Sequence, residues 1–211
     1  TKDVCIIYWQ IDINGKVRTG KIMKYNPETG CRVKDAGGIN WVHSVLKKKK
    51  LLPDNFNLVQ CLFGEHLLKM YPEKPVALVE SEKSALIASG VYPEYIWLAT
   101  GGKSQLSIEK MKVLHGRTVL AFPDVDGFDY WKDKAKELES IGLNIQVSDI
   151  LEKNATDQDR TNKIDLADWL IRDLMTDCRP APNTLDTLLG INPVLKSLRE
   201  PKHPKNTDKE N

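Results

Sequence analysis

The sequence predicts an α/β fold: a mainly parallel sheet flanked by helices, preceded by a small β-rich α+β module. Three observations predict it. From Pro75 onward, short apolar runs alternate with helical segments, the β-α-β series of a parallel sheet. Before Pro72 and Pro75 the chain reads instead as strand formers separated by turns, followed by short helices. Charge divides at the same place: residues 1–74 carry 13 Lys/Arg against 7 Asp/Glu, and residues 75–179 carry 13 against 18. A basic first part suits phosphates and an acidic second part suits cations, although charges scattered over a solvated surface would give the same balance.

In the first part, Val4 to Ile11 is rich in strand formers, and Asn14-Gly15 is a two-residue hairpin turn. Val17 to Tyr25 makes a second strand, Asn26 to Gly30 a second turn, and Cys31 to Val33 a short third strand. Gly37-Gly38 breaks the pattern. Trp41 to Leu46 starts a short helix that runs into Lys47–Lys50, and a second short helix covers Val59 to Met70. In the second part, Val76–Val79, Tyr95–Ala99, Thr118–Phe122 and Leu143–Val147 read as buried strands. Between and after them, helices are expected over Glu82–Ser89, ended by Gly90, over Ser107–Leu114, Phe128–Ser140 and Lys163–Met175. The polar stretch around Lys153 is loop-like. These elements divide the chain into residues 1–74, 75–179 and a C-terminal extension, 180–211. The extension carries a short helix over Thr184–Leu189 and is largely disordered after residue 200.

The composition is that of an ordinary globular chain, with 41% hydrophobic and 28% charged residues. No apolar run approaches the ~20 residues a membrane span needs, and the N-terminus alternates rather than forming a secretory block. The chain opens on Thr1 rather than Met, as a piece of a longer protein would. Cys5, Cys31, Cys61 and Cys178 form no CxxC pair and have no His at zinc-finger spacing, which argues against zinc and fits a reducing cytoplasm.

The chemistry-bearing residues stand at strand ends, where parallel sheets place ligand sites. The first strand of the second part ends at Glu80, and the third ends at Asp124 and Asp126. If those strands are neighbours, three carboxylates converge, and their mutual repulsion calls for a cation. Hard oxygen donors suit Mg²⁺, which keeps waters and binds phosphate oxygens; Mn²⁺ is the alternative. Each acid also has a plainer role open to it. Glu80 lies beside a helix start, Asp124 and Asp126 are able to cap the helix that follows, and Asp165 is able to cap the last one. Glu82 is either a further ligand or a surface helix residue.

An apolar strand ending in Glu80, then Asp124-Val125-Asp126 after another apolar strand, 44 residues on, resembles the TOPRIM domain. That family includes DnaG-type and phage primases, topoisomerases, OLD-type nucleases and RecR-like repair proteins. The resemblance implies that Glu80, Asp124 and Asp126 hold Mg²⁺ and take part in catalysis. Thr100-Gly101-Gly102-Lys103 resembles the small-residue loop after the second strand in primases, which implies phosphate binding there. Asp165 resembles a further metal-linked acid found late in the primase domain. Cys61-Leu62-Phe63-Gly64-Glu65-His66-Leu67-Leu68 resembles the segment preceding TOPRIM in phage- and plasmid-type primases. Two residues depart from the primase pattern: Ser81 stands where primases usually have Gly, and Gly127 directly follows Asp126, as in type II topoisomerases.

Phosphate contacts are expected from Lys83 beside the first acid and from the hairpin. There, Arg18 and Lys24 share a strand face, Lys21 points to the other face, and Arg32 joins from the third strand. A solvated hairpin surface explains the same residues equally well. Trp9 and Trp41 are candidates for stacking on bases, with Trp9 read more readily as a core residue, and His43 and His66 are expected to be structural. The resemblance implies primer synthesis from nucleoside triphosphates on single-stranded DNA, in replication or mobile-element transfer. A helicase or mobile-element replication protein is then an expected partner. A nuclease or nicking enzyme on the same acids, and an inactive single-strand-binding accessory protein, are the alternatives.

Overall fold

The computed structural model describes residues 5–28, 30–34 and 37–176. The expected C-terminal helix, the tail after residue 200 and Cys178 lie outside the described residues. The chain begins with a three-stranded antiparallel sheet. β1 (Cys5–Ile11) and β2 (Val17–Lys24) form the hairpin around Asn14-Gly15, and β3 (Ile39–Trp41) adds along β2 before α1 (Val42–Lys48). Asp12 sets the hairpin turn. Its carboxylate accepts the N–H groups of Asn14 and Lys16, both at 2.9 Å, and pairs with Arg18 at 2.7 Å. Those backbone and guanidinium partners hold the Asp12 carboxyl below its usual range.

Three expectations in this part need correction. The third strand is Ile39–Trp41, not Cys31–Val33. The turn after Tyr25 closes so tightly that Arg32 makes only an isolated bridge to Tyr25, leaving Lys21–Met23 to pair with residues 39–41. The expected helix from Val59 shrinks to α2 (Leu67–Met70). Before it, Phe63 pairs antiparallel with Ala99 through two hydrogen bonds of 3.0 and 3.1 Å, and residues 64–66 form a turn, which leaves no room for a longer helix. Trp9 is 42% exposed, since Tyr8 and Gln10 of β1 turn inward and their neighbours face out.

The second part is a four-stranded parallel sheet in the order β5-β4-β6-β7, built from β4 (Val76–Val79), β5 (Ile96–Ala99), β6 (Thr118–Phe122) and β7 (Asn144–Val147). Every residue of β4 and β5 is buried, which is why these strands read as continuous apolar runs. Helices cover both faces. α3 (Glu82–Val91) and α8 (Leu166–Thr176) pack with Val79, Trp97 and Phe122 on one face. α4 (Ile108–Met111) and α5 (Phe128–Glu139) pack with Leu78, Leu98 and Val119 on the other.

α3 passes through Gly90 and ends one residue later. The stretch around Lys153 is not a loop but holds α6 (Ile150–Asn154) and α7 (Asp157–Asn162). Lys163, at φ 52, ends α7, so α8 starts at Leu166 rather than Lys163. The antiparallel sheet is tied to the parallel one through buried Glu65, which accepts N–H groups from Ile13 at 3.0 Å and Leu62 at 3.1 Å. Among the described residues, no helix is long and apolar enough to cross a membrane.

Candidate active site

β4 is flanked by β5 on one side and β6 on the other, with α3 and α4 crossing on opposite faces. The crevice beyond the carboxyl ends of two strands so arranged is the ligand position of open α/β sheets. Register aligns Val79 with Phe122, so Glu80 emerges beside Pro123-Asp124. The Asp124 N–H donates to Glu80 Oε1 at 3.2 Å. Gly127 makes this approach possible. Its φ of −104° suits any residue, but a Cβ there would lie 2.5 Å from Glu80 Oε1.

The electrostatics of the crevice are those of carboxyls crowded out of water. Burial raises Glu80 to about 7, with the charges of Asp126 and Asp165 adding to it and the Asp124 N–H opposing. Burial raises Asp124 to about 9, and the charges of Glu80, Asp165, Asp126 and Asp168 all push the same way. Asp126 behaves oppositely. It is exposed, and the hydrogen bond from Lys163 at 2.9 Å lowers its carboxyl, with Lys103 at 3.9 Å contributing. Asp165 serves two ends at once. Its Oδ1 caps α8 by accepting the Asp168 N–H at 2.9 Å, and its Oδ2 accepts from Ser84 Oγ at 2.9 Å.

Cations ring this group. Lys83 lies 3.2 Å from Asp168 and 3.7 Å from Asp165, and Lys103 donates to the Asp126 carbonyl. Gly101 and Gly102 both have positive φ, and the Gly101 N–H donates to the Glu80 carbonyl at 3.0 Å. Behind the loop, buried Lys21 donates to Glu82 Oε2 and to the Gly101 carbonyl, each at 3.0 Å, while Glu82 Oε1 has no hydrogen-bond partner. Arg18, Lys24 and Arg32 stay with the antiparallel sheet. Arg18 is bound to Asp12, Lys24 pairs with Cys5 in the ladder, and Arg32 is exposed at its bridge to Tyr25.

As the side chains stand, no three Asp, Glu, His or Cys residues among the described ones form a ligand cluster, with Asp126 turned to its lysines and Asp165 to Ser84. The donor set nevertheless fits a hard cation. Glu80 and Asp124 are both raised in one crevice, the first by burial and the charges of Asp126 and Asp165, the second by burial and the charge of Glu80, and a third carboxyl on the Asp124 loop is held by exposed lysines.

Residues 1–125 match a family described as a domain of unknown function, DUF6371, over more than half of the chain. The chain belongs to that family. The DUF6371 match takes in Glu80 and Asp124 and stops before Asp126 and Asp165. No curated protein sequence matches.

Three solved structures are similar to this DUF6371 chain. One is a chain from the bacteriophage T7 lagging-strand DNA polymerase interacting with primase domains of two gp4 subunits bound to an RNA/DNA hybrid and dTTP. It has 14% identity and a TM-score of 0.42, with 75% of each chain covered. The Aquifex aeolicus primase, zinc-binding and RNA polymerase domains, has 18% identity and a TM-score of 0.46, covering 92% of this chain and 44% of that one. The E. coli primase catalytic core has 14% identity and a TM-score of 0.41, covering 92% and 64%. This chain thus spans less than half of the Aquifex chain. At such identities function is argued from the chain's own side chains.

Among those side chains, Lys163, Asp168 and Lys21 are the ones sequence reasoning did not assign to the acids. Lys163 and Asp168 read only as parts of a helix. Alternation did separate Lys21 from Arg18 and Lys24, but nothing in the sequence marked its face as the inward one.

Proposed function

We propose that the chain is a Mg²⁺-dependent nucleic-acid enzyme of TOPRIM type, making primers from nucleoside triphosphates on single-stranded DNA. The observation that supports this reading is the convergence of Glu80 and Asp124 in the crevice between β4 and β6, with Asp126 and Asp165 close enough to perturb them. Glu80, Asp124 and Asp126 would hold the ion, Mg²⁺ or Mn²⁺, and Asp165 would add charge behind them. Bound there, the metal would neutralise triphosphate oxygens and the charge developing on them. Lys83 and Lys103, which lie beside the acids, would serve as phosphate partners, and Gly101-Gly102 would leave backbone open to the same oxygens. Glu80, raised to about 7, is able to take or give a proton near neutrality.

The same proposal makes residues 1–74 the template-holding unit, with Arg18, Lys24 and Arg32 on template phosphates, and residues 75–179 the metal-holding one. A cytoplasmic setting and a helicase or mobile-element replication protein as partner belong to it as well. The test is primer extension by wild type, Glu80→Ala and Asp124→Ala with Mg²⁺, triphosphates and single-stranded DNA. Loss of extension in folded variants, judged by circular dichroism, supports the reading. Unchanged extension, or unfolding of the variants, removes it. Cleavage of DNA without triphosphates would transfer the acids to a nuclease.

A further inference from the structure

A cavity of about 300 Å³ lies between the antiparallel sheet and the loop after β5, with Thr100 and Gly101 in its wall. Its volume is at the lower end of small-ligand sites, room for a single ring system. One wall is aromatic. Trp41 is half-buried, and its ring stands 5.6 Å from that of His43, tilted by 38°. His43 is fixed by a 2.8 Å hydrogen bond with Thr19 Oγ1, and burial lowers its pKa, so the imidazole is neutral at pH 7. A flat, uncharged pair of rings over an apolar neighbour, Leu58, suits stacking on a heteroaromatic plane.

The remaining wall is polar in a specific way. Gln10 is 2% exposed, and its side-chain carbonyl has no hydrogen-bond partner. A buried acceptor without a donor is costly unless a ligand supplies one. Lys110, with its pKa lowered by burial, donates to Gln105 Oε1 at 3.0 Å and to the Thr100 carbonyl at 3.4 Å. The cavity is joined to the acids through one residue, because Gly101 lines it while its N–H is bonded to the Glu80 carbonyl.

We infer that this cavity is the base site of a nucleotide, with Trp41 as stacking face and the Gln10 carbonyl as acceptor for an exocyclic amine of the base. The phosphate half of that nucleotide rests on the function proposed above; the base half does not. Free nucleotide is the assigned source, since a base seated here has the glycine loop and the acids beside it for its phosphates.

The test is calorimetric titration of the full chain and its variants with adenosine, ATP, ITP and a short oligoadenylate, with and without Mg²⁺. Adenosine should bind without metal and compete with ATP. Trp41→Ala should weaken both by roughly 10-fold, and Trp41→Phe should restore most of the loss. ITP, which lacks the amine, should bind less tightly than ATP. Gln10→Met, which keeps the volume and removes the orphaned carbonyl, should abolish that preference without lowering the melting temperature. A Gln10→Met variant that is destabilised and still prefers ATP would show a merely structural glutamine and overturn the inference. So would ATP binding that needs Mg²⁺ and Asp124 but ignores Trp41 and Gln10, a result that leaves the proposed function standing. Adenosine binding that needs Trp41, beside ATP binding indifferent to Mg²⁺, upholds the base site and removes the reading of the acids. Trp41-dependent binding of the oligonucleotide alone would give the cavity to a strand and overturn the free-nucleotide assignment.

Discussion

Glu80 and Asp124 share a crevice that lifts their carboxyls to about 7 and about 9. In the unfolded chain both ionise near about 4. Between those limits the folded protein binds more protons than the unfolded one, so stability falls as pH rises. With divalent ions chelated, the melting temperature should decline from about pH 5 to about pH 9, and Asp124→Asn should flatten the decline. An unchanged profile in that variant would locate the strain elsewhere. Gly127→Ala offers a steric probe of the same spot, since its Cβ would stand 2.5 Å from Glu80 Oε1 in a backbone conformation alanine accepts. The expected cost is about 1–3 kcal/mol in denaturant unfolding, with loss of metal-dependent chemistry. The acids were legible in the sequence because they end apolar runs, and a parallel sheet brings such ends to one edge. Lys21 was legible only as the odd residue out on its strand, since its burial depends on the start of α3, 61 residues on, to present Glu82.

Local signals explain which elements could be read. β4, β5 and β6 are short apolar runs that only a buried strand explains, and α5 has a clear polar and apolar face. The segment from Cys61 to Glu65 has helical composition, but the free flank of β5 takes Phe63 as a bridge partner and a turn follows, a tertiary choice invisible in one window of sequence. α6 is too short, with only Ile150-Leu151 apolar, to show a helical period, and α7 is wholly polar and depends on capping rather than on an apolar stripe. Thr156 accepts the Asp159 N–H at 3.2 Å, and Asp159 accepts the Thr156 N–H at 3.0 Å, a reciprocal capping box. Thr156→Ala should therefore cost about 1 kcal/mol, read as a lower urea midpoint. A midpoint equal to wild type would mean that the Arg172–Asp159 pair, at 2.7 Å, holds the turn by itself.

At the scale of the molecule, two sheets of different kind meet over a buried ion pair, Lys21 with Glu82, whose side chains are 10% and 3% exposed. Removing one partner leaves a charge stranded, so Lys21→Met should destabilise by roughly 3–5 kcal/mol, and adding Glu82→Leu should recover much of it. If the double variant is no better than the single, the pair is not what couples the sheets. Basic and acidic halves were plain in the composition, but the side on which they meet was not, because it is set by this pair and by Glu65 rather than by net charge. The bridge between Phe63 and Ala99 has a different outcome for the whole chain. β5 is an outermost strand of four buried apolar residues, and residues 61–64 lie against it, close enough that a Cβ at Gly64 would come within 2.9 Å of the Trp97 carbonyl. A polypeptide starting at Pro75 would retain all four strands and both acids yet expose that edge, the template on which sheets recruit further copies. Light scattering of such a truncated chain should show aggregation where the full chain stays dispersed, so the N-terminal third also acts as a guard against self-assembly.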